Sequence, residues 1–226
     1  MSSLSKLVRD LRVTLNTAID LEKEFKEDDK FIDDLETVVK IAKIGFTAAT
    51  GGALHRLHIS KPSIDAVTNL VQRIPDALSR KKYKGQLPIQ SAVWKIESVK
   101  YVPILAQFGI KHDIGGRGMR GGLLVVDPSD EDNWNTLQLH TRLGNSSDPI
   151  PYDTASLDAM KELRKDDLLL KKDIKDHNLL FWSCGPDAKM RFEYLAEWDP
   201  DCLMTGTFEG LPLSHAVISQ TRRRSR

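Results

Sequence analysis

Near the middle of the chain stands the phrase Gly85-Gln86-Leu87-Pro88-Ile89-Gln90-Ser91-Ala92, and it returns near the end as Gly210-Leu211-Pro212-Leu213-Ser214-His215-Ala216. A second shared phrase precedes each copy: Ile74-Pro75-Asp76-Ala77-Leu78 before the first, Asp199-Pro200-Asp201-Cys202-Leu203 before the second. Recurrence of this kind, with helix-spaced apolar residues in between, marks supersecondary units that cannot bury their apolar faces alone and must stack on their neighbours. The expected fold is therefore mostly α, a solenoid of helical hairpins. Such folds present a broad surface more often than they enclose a reaction.

Composition narrows the setting. The chain has 226 residues, 40% of them hydrophobic, which is enough to bury a core. Its 33 basic residues nearly balance 32 acidic ones, so the overall field gives no strong pull toward nucleic acid or an anionic membrane. With two cysteines, Cys184 and Cys202, it suits a reducing compartment better than a disulfide-built scaffold. The first residues lack an apolar signal region, and no run approaches the length of a membrane span. These readings together lead us to expect an intracellular protein, cytoplasmic or nuclear.

Three regions follow. Residues 1–50 read as an amphipathic helix over Leu4 to Phe25, a charged link, and a second helix from Phe31 to Phe46 ending near Gly51-Gly52. This pair would cap one end of the array; a coiled-coil seam for a second chain is the rival role. Residues 51–219 carry the repeating units. One holds Ala53-Leu54-His55 and a helix from Pro62 to Leu78. The next opens at Pro88, which suits a first helical turn, and continues from Val99 to Phe108 with Gly109 as terminator. Pro103 inside that second helix predicts either a kink or a late start. Ile114 to Asp127 reads as a glycine-rich turn and a β-like run forming an enlarged hairpin. A third unit starts at Asn135, carries a loop over Gly144 to Pro151 and a second helix over about Ser156 to Leu163. A fourth opens at Asn178-Leu179-Leu180 with a second helix from Met190 to Trp198, and a fifth begins at Leu211 without room for its partner helix. Residues 220–226 form a basic tail, Arg222-Arg223-Arg224-Ser225-Arg226 closing it.

These units resemble the ankyrin repeat, in which a turn leads to a helix opened by Thr-Pro-Leu-His and a second helix ends in Leu-Leu-X-X-Gly-Ala. Pro88-Ile89-Gln90-Ser91-Ala92 and Pro212-Leu213-Ser214-His215-Ala216 fall on Pro-Leu-His-X-Ala, and Ile104-Leu105-Ala106-Gln107-Phe108-Gly109 falls on the second-helix ending. Leu54, Ile89, Leu139, Leu180 and Leu213 occupy equivalent positions at intervals of 35, 50, 41 and 33 residues, the long ones coinciding with the insertions. Only Pro88 and Pro212 keep the motif proline, so the resemblance is to a divergent array. It implies a protein-binding scaffold with no cofactor, and a histidine at His55 that hydrogen-bonds a neighbouring turn.

Gly116-Arg117-Gly118-Met119-Arg120-Gly121 matches G-x-G-x-x-G, yet a dinucleotide fingerprint should follow a strand and open a helix, whereas here a strand-like run follows. A nucleotide-binding protein or enzyme using the Gly115 to Gly122 loop is the alternative reading. His55, His58, His177, Cys184 and Cys202 show none of the usual zinc spacings, and no hydrolase, phosphate-loop or kinase signature occurs. We expect neither a catalytic residue nor a metal site. Arg80-Lys81-Lys82-Tyr83-Lys84 sits on a turn between units, where it would either grip an acidic partner or stay solvated. Trp94 and Trp182 fall late in first helices, where core packing competes with recognition. The expected partner surface comprises Lys82, Tyr83, Trp94, Trp182 and Phe208.

Overall fold

The computed structural model of the protein describes residues 51–204 apart from 83–84, 129–131 and 143–148. The anticipated helix pair over 1–50, the last unit, the basic tail, Tyr83 and Phe208 lie outside the described residues. Those described are mostly helical and form no strand.

Local chemistry sets the helix boundaries. After α1 (Leu57–Ser60), α2 (Ile64–Arg73) opens on Ser63, whose hydroxyl accepts the Ala66 N–H at 3.1 Å. It buries Val67 and Val71, one turn apart, and stops where Pro75 denies it another backbone donor. Helix α3 (Pro88–Val93) starts on proline, and the Gln90 side chain folds back to accept the Leu87 N–H at 2.7 Å. The same device opens α6 (Thr136–Arg142), where Gln138 takes the Asn135 N–H at 2.9 Å and Asn135 takes the Gln138 N–H at 3.0 Å. In α8 (Lys171–Asp176) it is Asp173 that takes the Leu170 N–H at 2.7 Å. Each pairing satisfies a backbone donor that a helix start otherwise leaves open.

Three expectations are corrected by the next segment. The helix expected from Val99 to Phe108 is broken into α4 (Ile96–Val99) and α5 (Val102–Lys111). Pro103 lies in the first turn of α5, so a late start rather than a kink accommodates it. Gly109 does not terminate α5 but lies inside it, against Gly121. The hairpin expected over Ile114 to Asp127 is instead a chain of tight turns with a 3₁₀ turn at Arg120–Gly122. Its N–H groups bond locally, Leu124 to Met119 O at 3.2 Å and Val125 to Gly122 O at 3.3 Å, while Leu123 is driven fully into the core. One isolated bridge, Val126 to Asn135, is the β-type pairing among the described residues.

The remaining helices are α7 (Pro149–Lys165), α9 (Leu179–Trp182) and α10 (Lys189–Trp198). They complete two rows: α3, α6 and α9 pack in succession, and so do α2, α5, α7 and α10. Within the second row the helices run parallel. The Tyr101 hydroxyl, beside the start of α5, donates to the Pro62 carbonyl before α2. Tyr152 in the first turn of α7 donates to Val93 O, while farther along Gln107 of α5 donates to Asp166 just past α7. Asp153 of α7 meets the start of α10, and Arg164 near the end of α7 stacks on Trp198 at the end of α10. The core between the rows holds Val71, Val93, Leu105, Leu139, Leu163 and Leu195, each essentially inaccessible.

The shared phrases also share a shape. Ile74 (φ −135°, ψ 68°) ends α2 and Pro75–Ser79 follows as a 3₁₀ turn; Asp199 (φ −136°, ψ 79°) ends α10 and Pro200–Leu203 follows likewise.

Candidate partner-binding surfaces

A buried polar chain fixes the turn that carries the basic run. His55 approaches the Arg80 carbonyl oxygen with Nε2 at 2.8 Å and the Ser91 hydroxyl with Nδ1 at 2.7 Å. Ser91 donates onward to Gln86 Oε1 at 3.1 Å, and Gln86 Nε2 donates to Asp127 at 2.6 Å. His55 thus does bind a neighbouring turn. Burial lowers its pKa, against the pull of the Arg80 carbonyl and with help from the Lys82 charge. Ser91 and His55 have the spacing of a nucleophile and its base. Here, however, the hydroxyl is buried and held between the imidazole and Gln86, and a carbonyl rather than a carboxylate faces the second ring nitrogen. The chain joins three segments, and Arg80, Lys81 and Lys82 stand exposed above it.

The two tryptophans of the expected surface part ways. Trp94, just past α3, is 42% exposed. Trp182 is half-buried at the end of α9, with ring centroids 4.7 Å from Trp134 and 4.8 Å from Phe181. The Arg142 guanidinium lies 3.5 Å from the Trp134 ring centroid and 5.8 Å from that of Trp182. Sequence reading missed this Arg-Trp-Trp stack; the signal available was an arginine ending a helix whose cap follows a tryptophan. Lys82 and Trp94 remain solvent-facing, whereas Trp182 serves packing first.

The glycine-rich loop is spent on structure. A Cβ at Gly116 or Gly118 would meet open space, while Gly121 abuts the α5 backbone. Arg120, between them, forks onto Asp173 in a bidentate ion pair and also donates to Leu168 O at 3.2 Å. No helix of the dinucleotide-binding sort opens on these glycines: a three-residue 3₁₀ turn follows.

The thiols are held protonated. Burial pushes Cys184 up to about 11. Burial and then Asp199, which accepts the Cys202 thiol at 2.9 Å, push Cys202 up to about 12. Among the described residues no three His, Cys, Asp or Glu side chains gather as a metal cage.

A groove of about 480 Å³ runs along the outer side of the second helix row. Ile64 of α2, Pro103 and Ile104 of α5, and Ala155 and Ala159 of α7 form its floor. Asp158, Glu162 and Asp166 border it on one side, and Lys100 stands at the end where α5 begins. No helix among the described residues is long and apolar enough to cross a membrane. No protein-family model matches the chain, and neither does any curated protein or solved structure.

Proposed function

We propose that the chain is a non-enzymatic protein-binding module, a divergent ankyrin-like solenoid whose partner surface includes Lys82 and Trp94. The observation that supports this most is the double row of helices, in which successive first helices and successive parallel second helices pack on their neighbours. Such stacking yields an extended surface with turns along one edge. Lys82 is exposed on a turn held by the buried His55 contact and Trp94 is exposed just past the other end of α3, and basic and aromatic side chains held on such a framework suit recognition of an acidic partner. Trp182 contributes through the packing that holds the neighbouring unit, and Tyr83 and Phe208 are proposed on sequence grounds.

The test is affinity capture from a native extract with the wild-type chain beside a Lys82→Glu/Tyr83→Ala variant. A defined protein retained by the wild type and lost with the variant supports the reading. Saturable nucleotide binding that disappears with Gly118→Val, with no protein recovered, would overturn it in favour of the glycine-loop alternative.

A further inference from the structure

We infer that the groove over α2, α5 and α7 is a second docking site, one that receives a basic amphipathic helix from a partner protein. Three features of the groove specify that occupant.

The first is the floor. Ile64 is 41% exposed although it is a large apolar residue at the start of a helix whose buried positions are Val67 and Val71. Ile104 and Ala155 beside it are only partly covered. On α7 the floor residues are two alanines one turn apart, so a partner backbone can come close before side chains collide. The volume of about 480 Å³ lies within the range of clefts that hold a ligand.

The second is the pitch of the wall. Asp158, Glu162 and Asp166 succeed one another at four-residue intervals along α7 and just past it. Carboxylates so spaced repeat about every 6 Å, which is also the rise between Lys or Arg side chains four apart on an incoming helix. An extended strand would present successive same-side residues about 7 Å apart and drift out of step over three contacts.

The third is that these carboxylates are available. Asp158 and Glu162 meet Lys161 and Lys165 at 3.8 and 3.4 Å, but all four side chains are more than half exposed. Ion pairs of that kind contribute little and exchange readily. Asp166 accepts from Gln107, a neutral donor, and so keeps its charge for a cation. Against three carboxylates the groove sets one cation, Lys100, at the far end. The wall is therefore negative along most of its length, and its one basic end orients the bound helix by repelling that helix's cationic stretch.

This site lies on the second helix row, away from the turn that carries Lys82, and stands whether or not that turn binds a partner. A suitable probe is a labelled alanine-rich peptide of about 18 residues, long enough to hold helix, with Lys at i, i+4 and i+8 and Leu at i+3 and i+7. Its binding to the full-length chain is followed by fluorescence anisotropy. The expected result is saturable binding that weakens about tenfold in the Asp158→Lys/Glu162→Lys variant, is unchanged by Lys82→Glu, and returns in that double variant for a peptide with Glu in place of Lys. Equal affinity of wild type and variant, or equal affinity for a peptide of the same composition with its apolar face scrambled, would overturn the proposal. So would two rival occupants. If Arg222→Glu/Arg223→Glu/Arg224→Glu tightens peptide binding more than tenfold, the chain's own tail is the native ligand. If sedimentation shows dimers that the groove variant abolishes, a second copy is.

Discussion

Gly109 and Gly121 pack backbone against backbone: a Cβ at Gly109 would stand 2.3 Å from the Gly121 carbonyl oxygen, and one at Gly121 would stand 2.1 Å from the Ala106 carbonyl oxygen. The turn after α5 is thereby pressed onto the helix it follows. Because the obstructing atoms are main chain, neither site can yield by a rotamer change. Gly121 also has φ +65°, which costs a side chain further. We expect Gly109→Ala to cost about 2 kcal/mol and Gly121→Ala about 3 kcal/mol or more. Gly118→Ala, with φ +87° but open space around it, should cost nearer 1 kcal/mol. Urea denaturation that ranks Gly118 as the most damaging of the three would contradict this account.

Arg191 is fully buried and paired with Asp153, its Nε donating at 2.7 Å, while its other nitrogens donate to His140 O at 2.6 Å and Asp187 O at 2.8 Å. Asp153 also accepts the Met190 N–H at 2.7 Å, so it ties the start of α7 to the start of α10. Removing the carboxylate leaves a buried guanidinium without its counter-charge, and Asp153→Ala should destabilise by about 3–5 kcal/mol. The double change Asp153→Leu/Arg191→Met should cost clearly less, since it removes both desolvation penalties. A double-mutant cycle read by chemical denaturation checks the pair; simple additivity would show that the two residues do not act together.

How much of this was legible in the sequence depends on the range of the interaction. Local signals carried well: Pro88 opens α3, Pro103 sits in a first turn, and the phrases at Ile74 and Asp199 give matching turns. The β-like reading of Leu123 to Val126 failed because an apolar run bounded by glycines does not reveal whether it will pair or coil. Here the positive-φ glycines Gly121 and Gly122 turn Leu123 into the core before a partner strand can form. Gly109 was misplaced for a related reason, since its neighbour Gly121 is distant in sequence. The groove was illegible because its floor comes from three helices, although the four-residue spacing of Asp158, Glu162 and Asp166 was in plain view. Trp182 was singled out, but Arg142 and Trp134, which decide its surroundings, were not.

His140 is fully buried, and neither of its ring nitrogens has a hydrogen-bond partner among the described residues. Burial, reinforced by the nearby Arg191 charge, pushes its pKa down to about 3 from an ordinary 6.5. The unfolded chain therefore takes up a proton here that the folded chain refuses. Stability is fully present above about pH 6.5 and falls as the pH drops toward 3, by up to about 1.4 kcal/mol per pH unit from this group. His55 and His177, both lowered chiefly by burial, add in the same direction. His140→Leu should flatten the acid limb by one proton. At pH 7 it should cost less than about 1 kcal/mol or stabilise, because no side-chain hydrogen bond is lost. A variant that leaves the slope between pH 6 and 4 unchanged would remove His140 from the explanation.

The Arg142 stack predicts a preference for shape over charge. Arg142→Ala should cost about 1 kcal/mol, and Arg142→Lys should restore only part of it, because an ammonium cannot lie flat on the Trp134 ring. Thermal melts of the three proteins in parallel decide it; full recovery with lysine would make the effect simple charge.

The parallel course of α2, α5, α7 and α10 has an electrostatic corollary. Side by side and pointing the same way, their peptide dipoles repel one another, unlike those of an up-and-down bundle, and carbonyl ends accumulate along one edge of the protein. Basic residues meet them there: Arg73 closes α2, Lys111 closes α5, and Arg164 and Lys165 close α7. Those cations thus act as end plates of a polarised stack, and reversing their sign would strain the alignment of the whole row rather than a single helix.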